Sequence, residues 1–533
     1  MAKLVSFISN LSRRRRIVVL VVLIGIFSVL FVPKFFNKEE AGNQEVLNQE
    51  SQDEQEVLGE ETETSEEGGS IIQNTSSGDQ AETQGSNSSN SAGTTGGSSG
   101  DSSGSSNNSP SPSPSPTPTP VADPLCTPNS SISCPELSGI YSDGSAVCRP
   151  DGSGYDLSSC QNTSLLETQV EMVKPAERDS SLFANARCND GTPFGFEFRK
   201  SPSASKNWVI YLEGGGMCED NAKSCVGRPS THTSTSSQAD RSIFESARGG
   251  IFSTDSSKNS QFHDANLVFA HYCSSDGWSG ATAERRPVSA DINGWYFSGK
   301  HNVRETVRIL KQRYGLDDND SSTKVLFAGG SAGGDGVYVN AEDVKNLLSG
   351  TASRGLLKLV ADGSWINNFD DSNYRPGTSG DPLYVVAEKA YAFWGSSLNS
   401  ICENSMASAG KNVAKCFMGK EIYGYITNPA PNGLGLPLLV QLSRIDSYML
   451  GLHHIDNPIE DEAAYLAWYN LMNDELGIVQ WLFSGADSPY HTILTKDGSN
   501  GWEMGTSEES SFRSLLFRFW DGSAAERILF GNP

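Results

Sequence analysis

Residues 323–334 read Thr323-Lys324-Val325-Leu326-Phe327-Ala328-Gly329-Gly330-Ser331-Ala332-Gly333-Gly334. The apolar run predicts a buried strand, and the stretch from Gly336-Val337-Tyr338-Val339 to Leu348 predicts a helix. Between them a serine sits in a G-x-S-x-G pattern. Small neighbours are needed when a serine is presented at a strained strand-to-helix turn, where larger side chains would collide. At such a turn the helix N-terminus and the N–H of Ala332 face any negative charge that develops beside the serine. Gly/Ser loops are common, so the motif gains its meaning from the strand before it and the helix after it.

Working outward, apolar runs alternate with amphipathic stretches from about residue 176, which predicts an α/β fold with a mostly parallel sheet flanked by helices. Trp208 to Leu212 is one such run and ends in Glu213-Gly214-Gly215-Gly216; Ala265 to Ala270 is another. A serine nucleophile needs a base to take its proton and a carboxylate to orient that base, and in α/β-hydrolases they follow in the order Ser, Asp or Glu, His. Leu436 to Leu442 ends shortly before Asp446, and Ile478 to Phe483 ends shortly before His491, so both fall on loops at strand carboxyl ends. Ser331, Asp446 and His491 are the predicted triad. His453 and His454 are expected on an exposed helix, and Asp362, after the run Leu356 to Val360, is expected to be structural. The glycine turn predicts the second half of an oxyanion hole, with the N–H groups of Gly215 and Gly216 joining that of Ala332.

Three ordered motifs carry a resemblance. Leu212-Glu213-Gly214-Gly215-Gly216-Met217-Cys218, Tyr272-Cys273-Ser274-Ser275-Asp276-Gly277-Trp278-Ser279-Gly280 and Gly329 to Gly334 resemble the signatures of the pectin acetylesterase and Notum carboxylesterase family, with further similarity at Cys188 to Thr192 and Ala361 to Trp365. The resemblance spans roughly residues 180–500. It implies an α/β-hydrolase-like, disulfide-bonded fold and a Ser-Asp-His triad that hydrolyses carboxylic esters through an acyl-enzyme, without a cofactor or metal. It also implies the bridges Cys188–Cys273, Cys218–Cys225 and Cys402–Cys416. Met217 departs from the pattern, because many relatives carry an aromatic residue there; the region around His491 matches loosely. The substrate this points to is an O-acyl ester, acetyl first, on an extracellular polysaccharide. A deacylase of lipidated protein, or an inactive carbohydrate-binding or adhesion protein on a hydrolase scaffold, is the alternative.

The rest of the chain divides by composition. It has 533 residues with 36% hydrophobic content, below the roughly 45–50% of globular proteins. A net charge of −24 excludes a phosphate-neutralising surface, and with it nucleic acid as a partner. Residues 1–16 are basic, with Arg13 to Arg16 in succession, and 17–33 are apolar. This pattern predicts a transmembrane signal anchor with the basic flank cytoplasmic, or a secreted chain if the segment is cleaved. Residues 34–123, ending in a Ser-Pro and Thr-Pro repeat, predict an unfolded acidic spacer. Segment 124–175 holds Cys126, Cys134, Cys148 and Cys160 and predicts a small cross-linked appendage, its pairing open; 176–533 is the predicted catalytic domain. Ten cysteines in an exported chain fit disulfides, and none has zinc-site spacing. About −15 remains on residues 124–533, which favours a neutral or sparsely charged ester. Tyr391, Phe393 and Trp394 are expected in core packing, with sugar stacking or an acyl pocket as the alternative.

Overall fold

The computed structural model describes residues 124–162, 170–218, 225–235, 244, 249–289, 291–370, 383–453, 455, 461–485 and 490–530. The predicted anchor at 17–33 and the spacer at 34–123 lie outside these residues. Among the described residues no helix is long and apolar enough to cross a membrane.

Nine strands form the central sheet: β1 (Val170–Val173), β2 (Phe196–Arg199), β3 (Asn207–Leu212), β4 (Asn266–Ala270), β5 (Lys324–Gly330), β6 (Leu357–Asp362), β7 (Leu438–Gln441), β8 (Trp481–Gly485) and β9 (Arg527–Phe530). Their order across the sheet is β9-β8-β7-β6-β5-β3-β4-β2-β1. Every pairing from β9 to β4 is parallel, and β2 alone runs against the rest. The continuous apolar runs follow from this topology, since a parallel sheet is covered on both faces. Along β5, Val325 and Phe327 enter one core with Trp208, Ile210 and Leu212, while Leu326 and Ala328 enter a second with Val209 and Tyr211. The two-residue period of a strand thus serves two cores at once.

Helices α1 (Gly299–Arg313) and α2 (Ala332–Leu347) cover the first face, with α3 (Leu383–Trp394), α4 (Ser447–Leu452) and α5 (Glu462–Glu475) in the later insertions. The second face is covered by α6 (Phe512–Asp521), which buries Phe512, Leu515, Leu516, Phe519 and Trp520. The amphipathic spacing of α6 is legible in those residues, and Gly522 ends it in the left-handed conformation.

Five disulfides are present: Cys126–Cys148, Cys134–Cys160, Cys188–Cys273, Cys218–Cys225 and Cys402–Cys416. They fit an oxidising, extracytoplasmic compartment. The first two staple short antiparallel strands within 124–162. That appendage docks on the end of α1, where the Arg313 guanidinium donates to the Glu136 and Leu137 carbonyls. A boundary at 175/176 is not what the sheet shows. β1 pairs with β2, so the central sheet begins inside the stretch read as appendage.

Candidate active site

The G-x-S-x-G turn is tight because backbone meets backbone. A Cβ on Gly329 would overlap the Gly333 carbonyl, and one on Gly333 would overlap the Leu212 carbonyl at the end of β3. Ser331 caps α2 at φ 52° and ψ −128°, outside the favoured regions for a residue with a side chain. Its N–H is held by the Asp362 carbonyl at 2.8 Å. The strain lifts Oγ clear of the turn and toward the loop after β8.

His491 comes from that loop. Its Nε2 lies 2.9 Å from Ser331 Oγ, and its Nδ1 lies 2.6 Å from Asp446 Oδ2. Asp446 is fully buried after β7 and caps α4, its Oδ1 accepting the N–H groups of Tyr448 and Met449 at 3.0 and 3.1 Å. One carboxylate oxygen thus anchors a helix and the other a histidine. The Tyr448 ring sits 4.6 Å from the His491 ring and covers it.

Asp362 stands at the end of β6, buried, and does not reach the imidazole through its carboxylate. Instead the carboxylate accepts the N–H groups of Ile493 and Leu494. Burial pushes its pKa up to about 6, with those N–H groups pulling the other way. His453 differs from the sequence reading. It is 2% exposed and packs 4.7 Å from Trp468 and 5.2 Å from Phe369, because α4 is short and turns its C-terminus inward. His454 lies outside the described residues.

The glycine turn packs directly on Ser331. A Cβ on Gly214 would lie 2.9 Å from Ser331 Cβ, and one on Gly215 would lie 2.6 Å from the His232 ring. Gly215 and Gly216 have φ of 126° and 64°, which only glycine adopts without strain. Arg228, which the sequence reading did not single out, donates to the Gly215 carbonyl. Cys218–Cys225 closes the turn, and the Trp394 indole donates to the Cys218 carbonyl at 2.7 Å. Trp394 is therefore a core brace; Phe393 packs on Phe297, and Tyr391 donates to Glu403.

Behind the turn, His271 is buried between two carboxylates, with Nε2 3.1 Å from Glu197 and Nδ1 3.7 Å from Glu213. Burial alone would lower its pKa, but the two carboxylates carry it above the ordinary histidine value. Glu213 also accepts the Tyr272 N–H at 2.8 Å, tying the turn to the end of β4.

A cavity opens beside Ser331, Gly216, Ala332 and His491. Met217, Trp365, Ile366, Met449 and Leu452 make its apolar wall, and Asp335 with Ser364 makes a polar end. Asp335 went unremarked in the sequence, although it lies four residues after Ser331 and so on the same side of a helix.

Comparison with known proteins agrees with this architecture. The Wnt deacylase Notum from Drosophila, a solved structure, superposes with a TM-score of 0.53 at 24% identity, covering 68% of this chain and 96% of that one. Palmitoleoyl-protein carboxylesterase notum1a of Danio rerio is 32% identical over 247 residues, 45% of this chain and 46% of that protein. The NOTUM protein of Schmidtea mediterranea is 34% identical over 251 residues, 46% and 45%, and the human one 31% over 254 residues, 46% and 48%. The chain thus spans about half the length of the curated relatives it matches. A profile of the Pectinacetylesterase family matches residues 164–430, from before β1 to beyond Ser331, while Asp446 and His491 follow it. With the profile covering half of the sequence, the chain belongs to the pectin acetylesterase family.

Proposed function

We propose that this chain is a serine carboxylesterase that removes short O-acyl groups, acetyl first, from an extracellular polysaccharide. The observation that carries the reading is the relay from Ser331 Oγ through His491 to Asp446, at 2.9 and 2.6 Å. These are the distances at which an imidazole takes a hydroxyl proton while a buried carboxylate fixes its tautomer. Ser331 attacks the ester carbonyl as His491 Nε2 accepts its proton, and Asp446 stabilises the resulting imidazolium. The tetrahedral oxyanion is held by the N–H groups of Gly215, Gly216 and Ala332. His491 returns the proton to the departing sugar oxygen, and water then cleaves the acyl-enzyme by the reverse relay.

The size of the cavity supports a short acyl group. The cavity beside Ser331 has about 60 Å³, room for on the order of five waters or as many small groups. A long fatty chain needs far more, which argues against the palmitoleoyl substrate named for the Notum relatives. Replacing Ser331 with Ala is expected to abolish hydrolysis of p-nitrophenyl acetate, and acetate release from acetylated xylan and pectin should follow the same dependence. Full activity in Ser331→Ala would overturn the reading.

A further inference from the structure

Asp335 takes no part in the mechanism above, yet it borders the same space. Its N–H bonds to the Ser331 carbonyl at 3.2 Å in the first turn of α2, and its side chain lines the cavity between Ser331 and Trp365. The residue is 6% exposed. Ser364 Oγ donates to its Oδ1, which leaves the rest of the carboxyl's hydrogen-bonding capacity to whatever occupies the cavity. Met217, Trp365, Ile366, Met449 and Leu452 offer alkyl and aromatic surface to the cavity, whose other polar side chains are Ser364, Ser331, His491 and Tyr448. Burial pushes the carboxyl up to about 7, with the Ser364 hydrogen bond and the His491 charge pulling down.

Building on the esterase reading, we propose that Asp335 is the specificity-determining residue of the acyl pocket, a polar stop that confines the enzyme to acetyl and comparably short acyl groups. A short acyl group leaves room for water on the carboxyl. A longer alkyl chain displaces that water and returns no hydrogen bond, which is worth roughly ten- to hundredfold in kcat/KM. A hydrocarbon-lined pocket without the acid would instead gain with each added methylene.

The test compares kcat/KM for p-nitrophenyl octanoate and p-nitrophenyl acetate in the full chain. The ratio within each variant is read, so the amount of active protein cancels. In Asp335→Leu the octanoate-to-acetate ratio is expected to rise at least tenfold. Asp335→Asn keeps a polar group against Ser364 and is expected to hold the ratio within about threefold of the unmodified chain. If Asp335→Leu does not fold, Asp335→Ala carries the same expectation. An unchanged ratio in a folded apolar variant overturns the proposal, as does a rise in Asp335→Asn equal to that in the apolar variant. Failure of the underlying reading looks different: Ser331→Ala would then keep its acetate hydrolysis. If only the Asp335 assignment fails, Ser331→Ala stays inactive while the ratio does not move.

Discussion

Asp362 accepts the N–H of Leu494 at 2.8 Å and that of Ile493 at 3.0 Å, so the last residue of β6 holds the loop that delivers His491. The same residue's carbonyl receives the Ser331 N–H, which places Ser331 and the His491 loop on one support. Asp362→Ala is expected to lower kcat by about 10- to 100-fold with little change in KM, because misplacing a base by about 1 Å has that effect. Its folded pKa of about 6 lies above the unfolded value of roughly 3.9. The folded state therefore retains a proton that the unfolded chain releases. The stabilisation is full below about pH 4 and is lost as pH rises through about 6, and Asp362→Asn should flatten that part of the melting-temperature profile.

Asp446 has two tasks that substitution can separate. Asn keeps an acceptor for the α4 N–H groups but cannot fix the His491 tautomer, so Asp446→Asn should lose about 10⁴ in kcat and melt close to the unmodified chain. Asp446→Ala should lose as much activity and, in addition, about 1 kcal/mol of stability from the missing cap. Steady-state kinetics beside thermal melts checks both; equal melting of the two variants would refute the division.

The disulfides differ in what they hold. Cys218–Cys225 spans 7 residues and Cys188–Cys273 spans 85. Loop entropy alone assigns them about 2 and 4–5 kcal/mol respectively. Removing the longer bridge by a double Cys→Ser change should therefore depress the denaturation midpoint more. Removing the shorter one should act mainly on kcat, since it loosens the glycine turn beside Ser331.

His271 gives the fold a pH dependence of its own. Its folded pKa lies above the ordinary histidine value through Glu197 and Glu213. It binds its proton more tightly folded than unfolded, so its contribution is full below about pH 6.5 and lost as pH rises through the folded value. His271→Gln should be destabilised most at acid pH, with the difference narrowing toward alkaline pH in urea titrations.

The sheet was legible because β3, β4 and β5 are continuous apolar runs, and their two-sided burial needs such runs. That Ser331, Asp446 and His491 come together was legible for a related reason: a parallel sheet places the residues after each strand on one edge. Packing decided the rest. Nothing near His453 announces that Trp468 and Phe369 will enclose it, since those partners are distant in sequence. β1 was lost in the cysteine-rich stretch because Val170-Glu171-Met172-Val173 is short and carries Glu171 among its apolar residues, as an edge strand can. Asp335 carried a usable signal, its spacing from Ser331, but an acid in the first turn of a helix reads first as a favourable dipole contact.

Ser331 and His491 stand 160 residues apart in the chain, with Asp446 between them. A polypeptide emerging from its N-terminus therefore exposes the serine turn long before anything can activate it. On the proposed mechanism, hydrolytic competence waits until β8 has been added beside β7 and the loop after it brings His491 to Ser331.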